Sequence, residues 1–265
     1  MSAVSLVREG ATATLLLHNP ERGNALTPAM MGEAAALVTE LGRALQQPGP
    51  PFGALVVRGT GDRAFCGGYD FDALARETRD RPDEVIPELL AVLSAFADFP
   101  RPIIAALNGH AVGGGALLAS LCDLRYARRG ALFVVPTTRI GILYPLTGLR
   151  RLVALLGLGR AAELLMLARP LDADAGLAWG LHNGVVSDCA VLDACVGEVA
   201  SELAQRSPLA MTGTLRALRA IADDAARDSV EELHRHWLER CVQSSDLAEG
   251  IQAMQGRRTP EFQGR

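Results

Sequence analysis

Residues 102–122 contain no aspartate, glutamate, lysine or arginine. A stretch of about twenty apolar residues is long enough to cross a membrane as a helix. This one holds Pro102 and three consecutive glycines at 113–115, and each glycine inside a helix costs about 1 kcal/mol relative to alanine. We therefore predict a strand over 103–107, a glycine-containing turn and a buried helix over 116–121, and no membrane span.

Strand and helix signals alternate over the first two thirds of the chain. Apolar runs predict strands at 12–17, 54–58, 103–107, 124–126, 132–135 and 185–186. Thr27 followed by Pro28 predicts the start of a helix that ends near residue 46. Because the strand at 103–107 is apolar throughout, we expect it to be buried on both faces, as in a parallel sheet. The pattern indicates an α/β fold.

The last part of the chain has a helical pattern. Helices are predicted at 190–205, 208–226, 229–242 and 246–255. We therefore divide the chain into a strand-and-helix core, residues 1–188, and a helical region, residues 189–265. The apolar stripe of the helix at 229–242 must be covered, either by the core or by another subunit, and the pattern leaves both open.

Composition excludes several classes of protein. Lysine is absent from the 265 residues, so neither a Schiff-base enzyme nor a Walker-type phosphate loop is possible. A formal charge of −4 and 5% aromatic residues argue against nucleic-acid binding. The five cysteines include no C-x-x-C pair, so we predict neither a disulfide framework nor a metal site. No signal peptide is evident, and we expect a cytoplasmic protein.

Two loops rich in glycine follow predicted strands, at residues 61–70 and 108–115. Glycine at the junction of a strand and a helix lets the backbone approach a ligand, and a helix N-terminus presents free N–H groups and a positive dipole end. Such a place suits an anion or a developing oxyanion. Spacing alone equally allows that the glycines serve only tight packing.

Four stretches together resemble the enoyl-CoA hydratase/isomerase (crotonase) family in order and spacing. They are NPERGNALT at 19–27, AFCGGYD at 64–70, PIIAALNGHAVGGG at 102–115 and CDLRYA at 122–127. The resemblance covers nearly the whole chain, and the C-terminal residues 249–262 share it. It implies a crotonase-like spiral of ββα units followed by a C-terminal helical trimerisation region. It also implies an acyl-CoA thioester substrate, no cofactor apart from the coenzyme A of that substrate, and a homotrimer or a dimer of trimers.

The resemblance also implies roles for individual residues. The backbone N–H groups of Gly67 and Gly114 are expected to point at the thioester oxygen, where charge gathers as an enolate forms, and one such donor is typically worth about 3–4 kcal/mol. The other positions expected to line the substrate site are Arg22, Gly23, Ala25, Ala64, Gly68, Tyr69, Asp70, Leu117, Pro136 and Thr137.

Phosphate recognition must use arginine because lysine is absent. The family's adenine-binding loop corresponds to residues 22–25, which places Arg22 near the nucleotide. Arg257 and Arg258 near the C-terminus are further candidates. For each of the three, a solvated surface charge is the alternative interpretation.

The chain departs from the family at the two acids of its hydratases. Those enzymes carry one glutamate three residues after the oxyanion glycine and another directly after a proline, twenty residues further on; here these positions are Leu117 and Thr137. General acid–base groups typically contribute about 10²–10⁴-fold, so we expect crotonyl-CoA hydration near background. A substitute acid could come from the stretch 71–87, whose acidic residues include Glu77, Asp80, Asp83 and Glu84.

Residues 140–152 are similar to methylmalonyl-CoA decarboxylase, a family member whose tyrosine in this segment binds the substrate carboxylate. Tyr144 stands at that place, but the same enzyme has a histidine where this chain has Tyr69. Three functions therefore remain open. The first is an enoyl-CoA hydratase/isomerase-like protein, a lyase or isomerase of fatty acid metabolism that stabilises a thioester enolate in an oxyanion hole. The second is a malonyl-type acyl-CoA decarboxylase that uses Tyr144, and the third is a non-catalytic acyl-CoA-binding protein.

Overall fold

The computed structural model describes residues 3–47, 49–70, 87–223 and 226–264. Within these ranges the chain forms ten strands and nine α-helices. The strands are β1 (Ala3–Glu9), β2 (Thr12–His18), β3 (Ala54–Gly59), β4 (Ala64–Cys66), β5 (Ile103–Leu107), β6 (His110–Val112), β7 (Leu124–Arg128), β8 (Leu132–Val134), β9 (Leu171–Asp172) and β10 (Gly184–Val186). The helices are α1 (Pro28–Ala44), α2 (Pro87–Asp98), α3 (Gly114–Leu121), α4 (Leu146–Ala162), α5 (Ala173–Trp179), α6 (Cys189–Ala204), α7 (Pro208–Ala222), α8 (Arg227–Gln243) and α9 (Ser245–Gly256).

A six-stranded sheet runs in the order β1-β2-β3-β5-β7-β10. β1 and β2 form an antiparallel hairpin, and all the other neighbouring strands are parallel. Every residue of β5 is buried. This confirms the strand predicted at 103–107, and its burial on both faces is what a strand inside a parallel sheet requires.

A smaller sheet has the order β4-β6-β8-β9, in which β4, β6 and β8 are parallel and β9 is antiparallel. The chain passes from the large sheet to the small one three times, through β3-β4, β5-β6 and β7-β8, and a helix follows both β6 and β8. The predicted spiral of ββα units is thereby confirmed. No helix in the described ranges is long and apolar enough to cross a membrane.

The helix predicted after Thr27 is present as α1. The Thr27 hydroxyl accepts a hydrogen bond from the Met30 N–H at 3.2 Å, and Pro28 occupies the first helical position. α1 packs against α2, and both helices cover the main core, whose largest buried side chains include Phe65, Phe96 and Phe133. This core lies beneath the small sheet and therefore supports the loops that follow its strands.

α6 lies beyond the boundary predicted at residue 188 but packs on the large sheet. Leu192, Val196 and Ala200 of α6 are buried against Val56 and Ile104 on the sheet face opposite the main core. By its packing α6 therefore belongs with the sheets, and the helices that stand apart from them begin with α7.

The tail, defined here as α7, α8 and α9, is fastened to the sheets by polar contacts. Arg219 of α7 donates two hydrogen bonds to the carboxylate of Asp123, at 3.0 and 2.7 Å, and two more to the carbonyl oxygens of Ala97 and Phe99. Trp237 of α8 packs on Gly213 of α7. The helices predicted in this region are all present, although α7 ends at residue 222 rather than 226.

Candidate active site

Two loops meet at the edge of the small sheet. One follows β4 and the other follows β6, and β4 pairs with β6 in parallel, with Ala64 opposite His110 and Cys66 opposite Ala111. Because the carboxyl ends of parallel strands lie at the same edge, residues 67–70 come to lie beside residues 113–115. The two glycine-rich loops singled out in the sequence therefore form one site.

The two loops approach each other closely at Gly68. Its φ of +103° is one that side-chain-bearing residues rarely adopt, and a Cβ atom there would lie only 2.8 Å from the carbonyl oxygen of Val112. A Cβ atom on Gly114 would in turn lie 3.2 Å from the backbone nitrogen of Tyr69. The Tyr69 N–H therefore lies beside the first residue of α3.

The prediction that the Gly67 N–H points at a ligand was wrong. That N–H donates a hydrogen bond of 2.8 Å to the carbonyl oxygen of Gly23, so it ties the loop after β4 to residues 19–25. Gly23 and Ala25, both predicted at the substrate site, belong to this third loop, residues 19–25. Ala25 is buried, and its carbonyl oxygen accepts from the Asn19 side chain at 3.0 Å.

A short parallel bridge joins Leu26 to Tyr69. The Leu26 N–H donates to the Gly68 carbonyl at 2.7 Å, and the Asp70 N–H donates to the Leu26 carbonyl at 2.9 Å. In such a pairing the central residue directs its own N–H to the opposite side of the strand. For Tyr69 that side is the one occupied by Gly114.

The N-terminus of α3 is the other half of the site. Gly114 is its first residue, Gly113 supplies no side-chain cap, and the first intrahelical bond runs from the Leu117 N–H to the Gly113 carbonyl at 2.9 Å. The first N–H groups of a helix have no acceptor within the helix, and they carry the positive end of its dipole. The site therefore favours negative charge near Gly114.

Arg22 is held at this site by a buried acid. Its guanidinium donates to the Asp70 carboxylate at 2.6 Å, with 57% of the Arg22 side chain exposed and 7% of the Asp70 side chain. The predicted site residues Arg22 and Asp70 are therefore brought together. Asp70 orients the arginine, and more than half of the Arg22 side chain stays exposed.

The two positions that hold acids in the hydratases are close to these loops. Leu117 of α3 is buried at 3% exposure, and Thr137 begins a short 3₁₀ turn, Thr137–Arg139. Pro136, just before it, lies next to Gly113, because a Cβ atom on that glycine would be 3.9 Å from the proline Cδ. Neither position supplies a group able to transfer a proton as a carboxylate does.

Tyr144 lies beside Leu117. A Cβ atom on Gly148 would clash with the Tyr144 ring and lie 2.8 Å from the Leu117 side chain, so both side chains pack on this glycine. The Tyr144 side chain is buried, and its hydroxyl has no hydrogen-bond partner in the described part of the chain. Burial raises the pKa of this hydroxyl above its ordinary value, so it stays protonated and is able to donate.

The comparisons with known proteins agree with this geometry. The sequence profile described as enoyl-CoA hydratase/isomerase matches residues 8–265. The chain belongs to the enoyl-CoA hydratase/isomerase family. A family relative, the probable enoyl-CoA hydratase echA6 of Mycobacterium bovis, is 33% identical over 98% of this chain and 99% of its own. The carnitinyl-CoA dehydratase of Proteus mirabilis is 29% identical over 99% of both chains.

Solved structures of the enoyl-CoA hydratase/isomerase family share the fold. A crystal structure of enoyl-CoA hydratase from Bacillus anthracis superposes with a TM-score of 0.89 at 26% identity, and the match covers 99% of each chain. An enoyl-CoA hydratase/carnithine racemase from Magnetospirillum magneticum superposes with a TM-score of 0.84 at 30% identity, over 100% of this chain and 97% of its own. The fold class predicted from the sequence is thereby confirmed.

Cys66 adjoins the site of this family member but is not available as a nucleophile. The side chain is buried, and its sulfur lies 3.9 Å from the Gly68 carbonyl oxygen. Desolvation raises the pKa of the thiol to about 12. Because the thiolate is the reactive form, Cys66 is inert at neutral pH.

The two C-terminal arginines predicted as candidates for phosphate contact do not belong to these loops. Arg258 donates two hydrogen bonds to Glu249, within the tail, which lowers the pKa of that carboxyl to about 2. Arg257 ends α9 in a left-handed conformation. The acids predicted as substitutes, Glu77, Asp80, Asp83 and Glu84, lie outside the described residues. Among the residues that are described, no cluster of three or more metal-ligating side chains occurs.

Asn24 and Asn108 are buried next to the site, and neither was predicted from the sequence to have a role. Both occur in the motifs that carry the family resemblance. Asn24 adopts a left-handed φ of 58°, which asparagine tolerates better than most residues. An asparagine beside a glycine in a loop between two regular elements was the available signal.

Proposed function

We propose that this chain binds an acyl-CoA thioester and holds the thioester oxygen between the N–H groups of Tyr69 and Gly114. The observation that carries the proposal is the contact of the two loops, where Gly68 and Gly114 allow the Tyr69 nitrogen to lie against the start of α3. Tyr69 thus takes the role first assigned to Gly67. Preorganised donors of this kind stabilise an oxyanion by about 3–4 kcal/mol each.

The chemistry that such a site supports is enolate formation. The acyl group would extend from Gly114 toward Leu117 and Tyr144, while Arg22, oriented by Asp70, would contact a phosphate of coenzyme A. The contributions of Gly23, Ala25, Ala64, Pro136 and Thr137 to substrate binding remain predictions. Because Leu117 and Thr137 replace the acids of the hydratases, crotonyl-CoA hydration should be near background.

Two substitutions at one position test the oxyanion site. Gly114→Pro removes the N–H, and proline is well accommodated at the first position of a helix. Gly114→Ala adds a similar Cβ atom but keeps the N–H. The probe is cinnamoyl-CoA, whose conjugated absorption band moves to longer wavelength when its carbonyl oxygen is polarised. We expect the full red shift with the unmodified protein and its loss with Gly114→Pro. Gly114→Ala should show a smaller red shift, because its Cβ atom would lie 3.2 Å from the Tyr69 nitrogen.

Other outcomes would contradict the proposal. If cinnamoyl-CoA binds to the unmodified protein without a red shift, no oxyanion site acts on the carbonyl. If Gly114→Pro and Gly114→Ala show the same shift, the Gly114 N–H is not a donor to that oxygen. Circular dichroism on both variants checks that the overall secondary structure is unchanged.

Tyr144 favours a second candidate, decarboxylation of a malonyl-type acyl-CoA. A buried hydroxyl without a partner costs about 1–3 kcal/mol, and a substrate carboxylate would supply the missing acceptor. Loss of CO₂ generates the enolate without a base, so the absence of acids at Leu117 and Thr137 is no obstacle. Release of CO₂ from malonyl-CoA or methylmalonyl-CoA should fall sharply in Tyr144→Phe. An unchanged rate in that variant rejects this candidate.

The third candidate is an acyl-CoA-binding protein without catalysis. It is supported by the same two positions, Leu117 and Thr137, because the site keeps its backbone donors and lacks the proton-transfer groups. Tight binding of acyl-CoA with no turnover across a broad panel of thioesters would select this function over the two enzymatic ones.

The tail supports a homotrimer or a dimer of trimers. A groove of about 1240 Å³ lies between the tail and the sheets. Its apolar lining includes Leu155, Met211, Leu218, Leu247, Ile251 and Phe262. Met254 and Leu218, which also line it, are 83% and 58% exposed in the single chain. Covering such a surface with another subunit removes apolar area from water, about 25 cal/mol for each Å².

A further inference from the structure

We infer that Asn24 and Asn108 are positioning residues, which fasten the loop before β4 and thereby set the gap between the Tyr69 and Gly114 donors. The inference rests on the proposed oxyanion site. Neither asparagine is assigned contact with the substrate, so each would act only through the backbone that it holds.

Asn24 links three segments of the chain. Its side chain is buried, and its amide nitrogen donates to the carbonyl oxygens of Thr60 at 3.0 Å and Ala64 at 2.8 Å. Its amide oxygen accepts from the Asn19 N–H at 3.0 Å and the Thr60 hydroxyl at 3.2 Å. The amide therefore makes four hydrogen bonds, which a carboxylate or an aliphatic side chain could not reproduce.

Asn108 fastens the same loop from the other side. It is fully buried, its amide oxygen accepts from the Gly59 N–H at 3.0 Å, and its amide nitrogen donates to the carbonyl oxygens of Gly61 at 2.9 Å and Ala64 at 3.3 Å. The backbone carbonyl of Asn108 is held as well, by the Arg128 guanidinium at 3.0 Å. The backbone of Asn108 is thus held by Arg128, while its side chain holds the loop before β4.

The two amides converge on the carbonyl oxygen of Ala64, the first residue of β4. Asn24 belongs to the loop that also accepts the Gly67 N–H, and Asn108 joins β5 to β6, the strand that leads to Gly114. The start of β4 is therefore tied to both of its neighbours. Since Tyr69 follows β4 within the same short loop, these bonds determine where its N–H lies relative to Gly114.

Small displacements matter at such a site. Donors stabilise an oxyanion only when they already stand at the position where the charge develops, and a misplacement of about 1 Å can cost about 100-fold in rate. Buried amides with every bond made are well suited to hold a loop to that tolerance. A purely structural role would affect stability and leave the polarisation of a bound carbonyl unchanged.

The experiment uses the cinnamoyl-CoA red shift and the full-length chain. Asn24→Gly removes all the side-chain bonds and keeps a residue that accepts the left-handed φ. Asn24→Asp keeps the shape of the side chain but replaces the amide nitrogen with a carboxylate oxygen, which cannot donate to the carbonyl oxygens of Thr60 and Ala64. We expect both variants to lose the red shift of cinnamoyl-CoA. Because Asn24 lies in the same loop as Arg22, the Kd should rise as well, so the red shift is recorded at saturating ligand.

A matched control comes from Asn183. Its side chain accepts from the Arg125 N–H at 2.8 Å, between β7 and β10 and away from both donor loops. Asn183→Ala should lower the melting temperature and leave the red shift intact. If Asn24→Gly does not fold, Thr60→Val removes only the hydroxyl bond to Asn24 and is expected to reduce the red shift partially.

If Asn24→Gly folds and shows the same red shift as the unmodified protein, the inference is overturned. If Asn24→Gly does not fold, an unchanged red shift in Thr60→Val overturns it instead. Loss of the shift in Asn183→Ala would also overturn it, because destabilisation alone would then explain the effect. Failure of the oxyanion proposal looks different, since the unmodified protein itself would then show no shift.

Discussion

At the scale of single residues, Tyr144 makes a prediction about stability as well as chemistry. Its buried hydroxyl has no partner among the described residues, so Tyr144→Phe should stabilise the unliganded protein by about 1 kcal/mol, as measured by urea unfolding. Thr212→Val is the contrasting control, because the Thr212 hydroxyl donates to the Pro208 carbonyl at 2.7 Å and its removal should destabilise. Destabilisation by Tyr144→Phe of the same size as in this control would show that the hydroxyl is already bonded.

His182 provides a prediction about pH. The His182 side chain is buried, and the buried guanidinium of Arg125 is the charged group that acts on it. Desolvation, together with this positive charge, lowers the pKa of His182 from 6.5 to about 4. Between pH 6.5 and pH 4 the His182 imidazole is therefore protonated in the unfolded chain and neutral in the folded chain. The resulting stability is complete above pH 6.5 and is lost as the pH falls toward 4, by about 3 kcal/mol in total.

The measurement for His182 is urea unfolding of the unmodified protein and His182→Gln between pH 7.5 and pH 4. The difference between their unfolding free energies should change over this range, because only the unmodified protein has this titration. A constant difference between unmodified protein and His182→Gln would contradict the account.

The sequence predicted the places of Gly114, Leu117 and Thr137 only through the family resemblance, which separates these positions by three and then twenty residues. It could not predict which N–H after β4 faces the ligand. That depends on the bridge between Leu26 and Tyr69 and on the bond from Gly67 to Gly23, both of which join loops distant in sequence. The prediction chose Gly67 because two glycines are adjacent there. In the structure it is Gly68 whose missing side chain allows the two backbones to approach each other.

At the scale of elements, the ion pair between Arg219 and Asp123 fastens the tail to the sheets. Both side chains are nearly buried, and Asp123 also accepts from the Ile103 N–H at the start of β5. Arg219→Ala leaves a buried carboxylate without its counter-ion, so we expect a loss of about 3–5 kcal/mol in unfolding free energy and faster proteolysis within α7–α9.

The pair between Arg129 and Asp174 is the matched control for Arg219→Ala. Both of its side chains are more than half exposed, so Arg129→Ala should cost less than about 1 kcal/mol. Equal losses in the two variants would show that the Arg219 pair is not a buried tether.

Long elements were predictable, and short ones only in part: β8 and β10 were predicted, at 132–135 and 185–186, whereas β4 and β6 were not. The strand at 103–107 and the helix after Thr27 carry continuous apolar or capping signals, and the structure confirms both. β4 and β6 have three residues each, which is too short for an alternating pattern, and they form because the loops around Ala64 hold them in register. The division at residue 188 followed a change of pattern, whereas α6 is placed by its apolar contacts with Val56 and Ile104.

At the scale of the whole molecule, assembly should depend on the exposed apolar face of the tail. Met254→Asp introduces a charge at a side chain that is 83% exposed, and we expect it to convert an oligomer near three or six times 28.0 kDa into single chains, as measured by light scattering. Val7→Asp, on the exposed hairpin strand β1, should leave the mass unchanged. A monomeric mass for the unmodified protein would contradict the trimer proposal.

The central claim is that the thioester oxygen lies between Tyr69 and Gly114. A crystal structure with a bound acyl-CoA tests it most directly. The account predicts that both backbone nitrogens lie within about 3 Å of the thioester oxygen, with the Gly67 N–H still bonded to the Gly23 carbonyl. A thioester oxygen bound at the Gly67 N–H, or one that contacts neither Tyr69 nor Gly114, would contradict it.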